Sequence, residues 1–276
     1  MEDPPDHKSA VRREFTKQAS DYAESDILTD PEKIDSLIQA TGPSSGARVL
    51  EIATGPGHVA LGFAEECDQV TGIDITEAQL EIAREKSKER GVDNVHFEKG
   101  DAEDLPHQDD SFDIVVCRLA FHHFEDPAVV VEEMSRVCRP DGTIAVDDII
   151  ASELPPRASY QNEFERLRDP SHVRALPLSE IIALFSQSKI EVTDVFSSTN
   201  VQEVEQWLSL AKTPESRADE VRRLIEEDAR DDRSGTRPFW QDDTLYFAQN
   251  TAIVVGRRLR DSRLGDRQVT DHPRSG

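Results

Sequence analysis

The chain has 276 residues, a formal net charge of −24 and 36% hydrophobic residues. That length suits one large α/β domain, alone or carrying a small subdomain. So acidic a chain repels nucleic-acid phosphate, and no apolar run approaches the roughly 20 residues that span a bilayer, which disfavours a nucleic-acid substrate and an integral membrane segment. Met1 to Arg13 is charged and no apolar stretch follows it, so no signal peptide is read there and a cytoplasmic location is expected. Cys67, Cys117 and Cys138 are far apart and form no CxxC pair; buried thiols are expected, with no disulfide framework and no metal site. The acid is spread along the chain, and eight lysines stand against twenty-four arginines. An acidic, lysine-poor surface of this kind fits adaptation to high salt, where screening removes self-repulsion.

Residues 1–45 read as a helical segment, with Asp30-Pro31 placing a capping carboxylate before a first-turn proline. Strands and helices then alternate, the pattern of a parallel sheet with crossover helices. The predicted strands are 48–53, 69–74, 94–98, 112–117 and 142–147, short apolar runs suited to a sheet covered on both faces. Thr76 and Gln79 are spaced as a capping box for a helix ending at Gly91, and Asp126-Pro127 opens another helix to about Val137. Residues 46–150 thus form a core, and 151–258 add looser helices and two more strands, 189–197 and 246–255. Residues 201–230 read as charged amphipathic helices, the second starting at Thr213-Pro214. Residues 259–276, polar and rich in charge, read as a disordered tail.

The feature richest in chemistry is Glu51-Ile-Ala-Thr-Gly55-Pro-Gly57, a strand that ends in a carboxylate and meets a glycine turn before a helix. Glycines let backbone approach a ligand, and the helix start offers free amides. Gly55, Gly57 and Ala60 also satisfy a dinucleotide fingerprint, so the turn alone leaves an NAD(P)-dependent oxidoreductase open. The neighbouring carboxylates discriminate. Glu51 is placed to receive the ammonium of a methionine-like cofactor, whereas a pyrophosphate there would be repelled. Asp74 ends the second strand and can accept from both ribose hydroxyls. Asp101 follows the third and can accept from an adenine amine. All lie at carboxyl ends of consecutive strands, where open α/β sheets bind ligands.

The runs VLEIATGPGHVAL (49–61), GID (72–74), GDAEDLP (100–106), FDIVVCRLAFHHFEDP (112–127) and RPDGTIAVDD (139–148) together resemble the class I S-adenosylmethionine (SAM)-dependent methyltransferases, in particular the branch of the ubiquinone and menaquinone biosynthesis C-methyltransferases. FTKQASDY (15–22) resembles that branch's N-terminal helix, which closes over the cofactor. The resemblance spans roughly residues 12–150. It implies a doubly wound, Rossmann-like, seven-stranded and mostly parallel sheet, with an antiparallel last strand at the sheet edge. It implies SAM as cofactor and S-adenosylhomocysteine as product, with Glu51, Ala53, Gly55 and Gly57 at the methionine end, Asp74 and Ile75 at the ribose, Asp101 and Ala102 at the adenine, Cys117 beside the cofactor and Tyr22 from the lid. Ala53 stands where the family's first glycine usually falls, which is tolerable if its φ is negative.

SAM carries its own activated methyl, so the protein aligns the acceptor and excludes water. A base is needed only for a hydroxyl or an acidic carbon. His122 and His123, after the fourth strand, are the candidates, with Asp147 and Asp148 on the fifth as orienting carboxylates; the alternative is that the pair is structural. Glu103 and Asp104 read as solvated or capping carboxylates. The acceptor, a small molecule methylated at oxygen, carbon or nitrogen, is expected among Phe121, Phe164, Trp207, Phe239, Trp240, Tyr246 and Phe247, with Phe239-Trp240 the favoured pair. A non-catalytic SAM-binding protein would share every cofactor motif.

Overall fold

In the computed structural model, residues 6–260 are described. The N-terminal segment forms helices α1 (His7–Ala23), α2 (Asp26–Thr29) and α3 (Pro31–Thr41). Strands β1 (Arg48–Ile52), β2 (Gln69–Asp74), β3 (Val95–Lys99), β4 (Phe112–Arg118) and β5 (Cys138–Ala151) then alternate with α4 (His58–Phe63), α5 (Glu77–Arg90) and α6 (Pro127–Val137). Beyond them lie α7 (Pro155–Arg168), β6 (Leu176–Pro177), α8 (Leu178–Gln187), β7 (Ile190–Glu203), α9 (Val204–Leu210), α10 (Glu215–Asp231), β8 (Phe239–Gln241) and β9 (Thr244–Arg258). The tail expected over 259–276 falls, from residue 261, outside the described residues.

One sheet organises the chain in the order β3-β2-β1-β4-β5-β9-β7, and the short β6 and β8 pair with β5 and β9. Among the described residues it therefore has nine strands, not the expected seven, because two segments too short to carry a period of their own also pair. β1 to β5 run parallel, as expected. β9 is antiparallel to both neighbours, β5 and β7, so the antiparallel strand is interior, and β7 takes the edge. The reason is visible in the residues. β9 carries the continuous apolar run Ala252–Val255, suited to a strand with partners on both sides, whereas most of β7 is exposed. β5 also exceeds its expected span, starting at Cys138.

Alternation along the strands feeds two cores. Val49, Ile114, Val116 and Ala145 pack beneath α3, α4 and α5. Leu50, Val115, Ile144 and Val146 pack beneath α6 and α8. A third cluster joins α7, α9, α10 and β9 through Phe164, Trp207 and Phe247, whose rings meet edge-on at 4.8 to 6.1 Å.

The caps at Asp30 and Asp126 form as expected: each side chain accepts from two first-turn amides. The capping box at Thr76 does not. Thr76 makes no side-chain cap, and the reciprocal half is missing too, since the Gln79 side chain is turned away to donate to the Phe15 carbonyl at 3.2 Å. Residue 79 ties α5 to α1 instead of closing its own helix.

Candidate active site

The carboxyl ends of β1 to β4 open into a cleft roofed by α1 and α2, with about 1080 Å³ of space between its walls, mouth included. Tyr22, Glu51, Ala53, Gly55, Asp74, Ile75, Asp101 and Ala102 all line it.

Glu51 is the penultimate residue of the apolar β1 and is 3% exposed. Its Oε2 accepts from Thr54 Oγ1 at 2.5 Å and from the Ala60 amide at 2.9 Å. Burial pushes its carboxyl up to about 7, against the lowering effect of those two donors. Asp74 accepts from the Gly55 amide at 2.9 Å and the Thr76 amide at 2.7 Å, which fixes the carboxylate on the glycine turn. Burial raises its pKa as well. Gly55, at φ +52°, has nothing within 4 Å of where a Cβ would stand, so its backbone faces open space. Gly57 does different work and does not line the cleft: at φ +81° a Cβ would strike Phe97 and Ala83 within 3 Å, so it seats the turn on α5 and β3. Ala53 contradicts the expected negative φ. It sits at +53°, in the left-handed region, at a cost of roughly 1–2 kcal/mol for an L-residue.

Asp101 caps the Glu103 amide at 3.0 Å and receives Lys8 Nζ at 2.6 Å. Lys8 also reaches Glu103 at 2.6 Å, so Glu103 is an anchor for α1 rather than a solvated carboxylate. Cys117 is not a cleft wall. It is fully buried in the core beneath α6, because its side chain alternates away from the cleft face.

The two histidines occupy one turn of 3₁₀ helix, Phe121–His123, after β4. Their surroundings differ. His122 Nδ1 lies 2.5 Å from Asp148 Oδ1, and Asp148 is held in turn by the Phe121 and Ile149 amides. Burial opposes the charge on His122, but the Asp148 carboxylate prevails and raises its pKa. His122 does not line the cleft; His123 does. Nδ1 of His123 is 2.9 Å from the Ser171 carbonyl, which can only accept, so Nδ1 carries the hydrogen and Nε2 keeps a lone pair. Burial, with the neighbouring His122 charge, depresses His123 to about 4. Phe15 of α1 packs edge-on to it at 5.0 Å. Asp147 meets neither ring. Its carboxylate is turned to Arg118 Nε at 3.2 Å, and burial pushes it up to about 6. Successive residues of a strand point to opposite faces, so only one of the two aspartates could reach the histidines.

Several cleft residues went unnoticed in the sequence, among them Lys8, Phe15, Leu28, Arg118 and Phe124. The one with a readable signal is Arg118, a cation closing the apolar strand FDIVVC. The aromatics expected around an acceptor are elsewhere. Phe164, Trp207 and Phe247 fill the third core, and Phe239 and Trp240 are exposed on β8, with Phe239 stacked on Tyr246 at 5.5 Å. The amphipathic faces of α7, α9 and α10 bury those first three rings against one another.

A mostly parallel α/β sheet with carboxylates at successive strand ends around one cleft is the arrangement in which doubly wound folds hold ligands. The methyltransferase-domain family model matches residues 43–213, and the chain belongs to that family. It is 37% identical over 207 residues to a protein of Bacillus subtilis named uncharacterized methyltransferase YcgJ, covering 75% of this chain and 82% of that one. The crystal structure of YcgJ superposes with a TM-score of 0.79 at 32% identity, over 83% of this chain and 99% of that one. A ubiquinone/menaquinone biosynthesis C-methyltransferase, UbiE of Bdellovibrio bacteriovorus, is 33% identical over 132 residues, 47% of this chain and 56% of its own. The fold is thus that of the class I methyltransferases. Among the described residues no helix is long and apolar enough to cross a membrane.

Proposed function

We propose that this chain is a cytoplasmic SAM-dependent methyltransferase acting on a small-molecule acceptor, with residues 1–45 as lid, 46–150 as cofactor core and 151–258 as the acceptor-side part of the same domain. The observation that carries the reading is the ordering of three carboxylates, Glu51, Asp74 and Asp101, around one cleft with an open glycine turn between the first two. The donor set fits SAM: Glu51 for an ammonium, Asp74 for a ribose diol, Asp101 for an adenine amine once Lys8 yields it. A pyrophosphate would meet Glu51 where it needs donors, which counts against a nicotinamide cofactor.

When bound, SAM supplies a methyl group activated on a sulfonium. The chain's residues do the rest. α1 and α2 roof the cleft and exclude water. Phe15 and Tyr22 provide rigid aromatic walls, packed edge-on at 5.7 Å, against which an acceptor is oriented. For a hydroxyl or acidic-carbon acceptor, His123 Nε2 is the group that takes the proton; burial and the neighbouring His122 charge keep that ring neutral, and the Ser171 carbonyl fixes it. An amine or pre-activated carbon needs no base, and alignment then suffices.

Calorimetric titration with SAM, S-adenosylhomocysteine and NAD(P)H tests the cofactor class. Binding of the first two only is expected, weakened by about 1.5–3 kcal/mol in Asp74→Ala, the scale of hydrogen bonds to a charged group. Unchanged affinity in folded Asp74→Ala removes the reading. A methylation assay over a panel of small acceptors separates an enzyme from a non-catalytic SAM-binding protein.

A further inference from the structure

We infer that Arg118 is a positioning residue that pins the corner between α2 and α3 over the methionine end of the cleft; this rests on the methyltransferase reading above. Its side chain is 4% exposed, and its guanidinium reaches three acceptors in three directions. Nε donates to Asp147 at 3.2 Å, one terminal nitrogen to the Leu28 carbonyl at 3.3 Å and the other to the Ile27 carbonyl at 3.0 Å. Leu28, Arg118 and the following Leu119 all line the cleft.

The sequence explains why those carbonyls need a partner. In a continuing helix the Ile27 carbonyl would accept from residue 31, but residue 31 is Pro and has no N–H. The Leu28 carbonyl would accept from Glu32, but that amide is taken by the Asp30 cap at 3.0 Å. The four-residue α2 therefore ends on two orphan carbonyls, and a planar cation with several donors satisfies both. Asp147 neutralises that cation without spending a donor on the lid side.

The placement has two further effects. Arg118 lies close enough to Glu51 to ease ionisation of that buried carboxylate. With Leu119 it also lines a second groove, of about 860 Å³, between α3 and β7. The other anchors of the roof hold α1: Lys8 on Asp101 and Glu103, Gln79 on the Phe15 carbonyl, His58 on the Ala23 carbonyl, and Gln18 with Lys17 on the carbonyls of Ala211 and Lys212.

The test uses the full chain with two variants, Arg118→Met/Asp147→Asn, which removes both charges together, and Arg118→Lys, which keeps the charge but loses the fork. Hydrogen exchange by mass spectrometry is followed across the chain, and S-adenosylhomocysteine release by stopped flow. Both variants should exchange faster over residues 24–32 with β1 and β2 unchanged. Release of S-adenosylhomocysteine should quicken by about 10- to 100-fold in the double variant, the scale of losing two hydrogen bonds from a charged donor. The pH profile of S-adenosylhomocysteine binding should shift upward in the double variant, where Glu51 loses the cation that eases its ionisation, and Arg118→Lys should keep the wild-type profile without lid protection. Wild-type exchange over 24–32 in both variants overturns the inference, as does loss of protection spread evenly over the sheet. Should the double variant not fold, the lysine variant alone decides by the same exchange pattern. If the wild-type chain binds no S-adenosylhomocysteine, the methyltransferase reading fails instead, and exchange in the free protein still tests the pin.

Discussion

Glu51→Gln should make the free protein more stable and its cofactor site worse. In the folded chain Glu51 is 3% exposed and titrates at about 7, against an ordinary value of 4.5. Between those two pH values the folded state holds a proton that the unfolded chain has released, so stability falls as pH rises through the window. Above it the cost is complete. At about 1.4 kcal/mol per pH unit, the lift from 4.5 to about 7 amounts to roughly 3 kcal/mol at pH 8. Glutamine keeps an oxygen to accept from Thr54 and Ala60 and carries no charge to desolvate. Its amide adds hydrogens that need partners, so a net gain of about 2 kcal/mol is expected, or about 4–8 °C in melting temperature for a chain of this size. At pH 5 wild type is already protonated there, and the two proteins should melt together. The variant should bind SAM or S-adenosylhomocysteine about 10- to 150-fold more weakly, having lost a charged partner for the ammonium. Melting by circular dichroism at pH 5 and pH 8, with calorimetric binding at pH 8, measures all three quantities. Equal stabilisation at both pH values, or a less stable variant at pH 8, refutes the argument that burial of this charge is what the fold tolerates for its ligand.

Ala53→Gly should stabilise the fold by about 1 kcal/mol, since relief of the φ +53° strain exceeds the entropy that glycine adds to the unfolded chain; an unchanged or lower melting temperature would count against the strain. If His123 is the base, His123→Ala should lower turnover by roughly 10²–10⁴-fold with cofactor affinity intact. Because that ring titrates at about 4, the rate should show no step from it between pH 5 and 8 and should collapse only as pH falls through about 4. A single ionisation near 6.5 in the rate profile would point to another group. The charge of −24 predicts a melting temperature that climbs from low to molar potassium chloride, as the screening length shrinks from about 10 Å at 0.1 M to about 3 Å at 1 M; a flat or falling curve contradicts salt adaptation.

What was legible in the sequence depended on whether a residue's role is local. Strand ends marked by Glu51, Asp74 and Asp101 were readable because each sits at a boundary between an apolar run and a turn, and five such boundaries in order specify the sheet. Whether His122 or His123 faces the cleft was not, since both lie in one tight turn and only the Ser171 carbonyl and Asp148, from distant segments, tell them apart. The interior place of β9 was hidden because chain order says nothing of insertion between existing strands. The aromatics of 164–247 misled for a related reason: amphipathic helices show which face is apolar, and not whether that face covers a ligand or another helix. Arg118 was in plain view, yet its purpose depends on Pro31, a residue far away in sequence whose missing N–H shows only when the two meet.

The reciprocal bonds between Lys17 and Lys212, each ammonium on the other's carbonyl at 2.9 Å, join positions 195 residues apart. During synthesis the strands that carry Glu51, Asp74 and Asp101 emerge well before residue 212 is made. A nascent chain would have its carboxylates in place while this hold on α1 did not yet exist. This contact between the roof and the segment after α9 can therefore form only once residue 212 has been made, and arrest peptides placed before and after residue 212 would see it arrive.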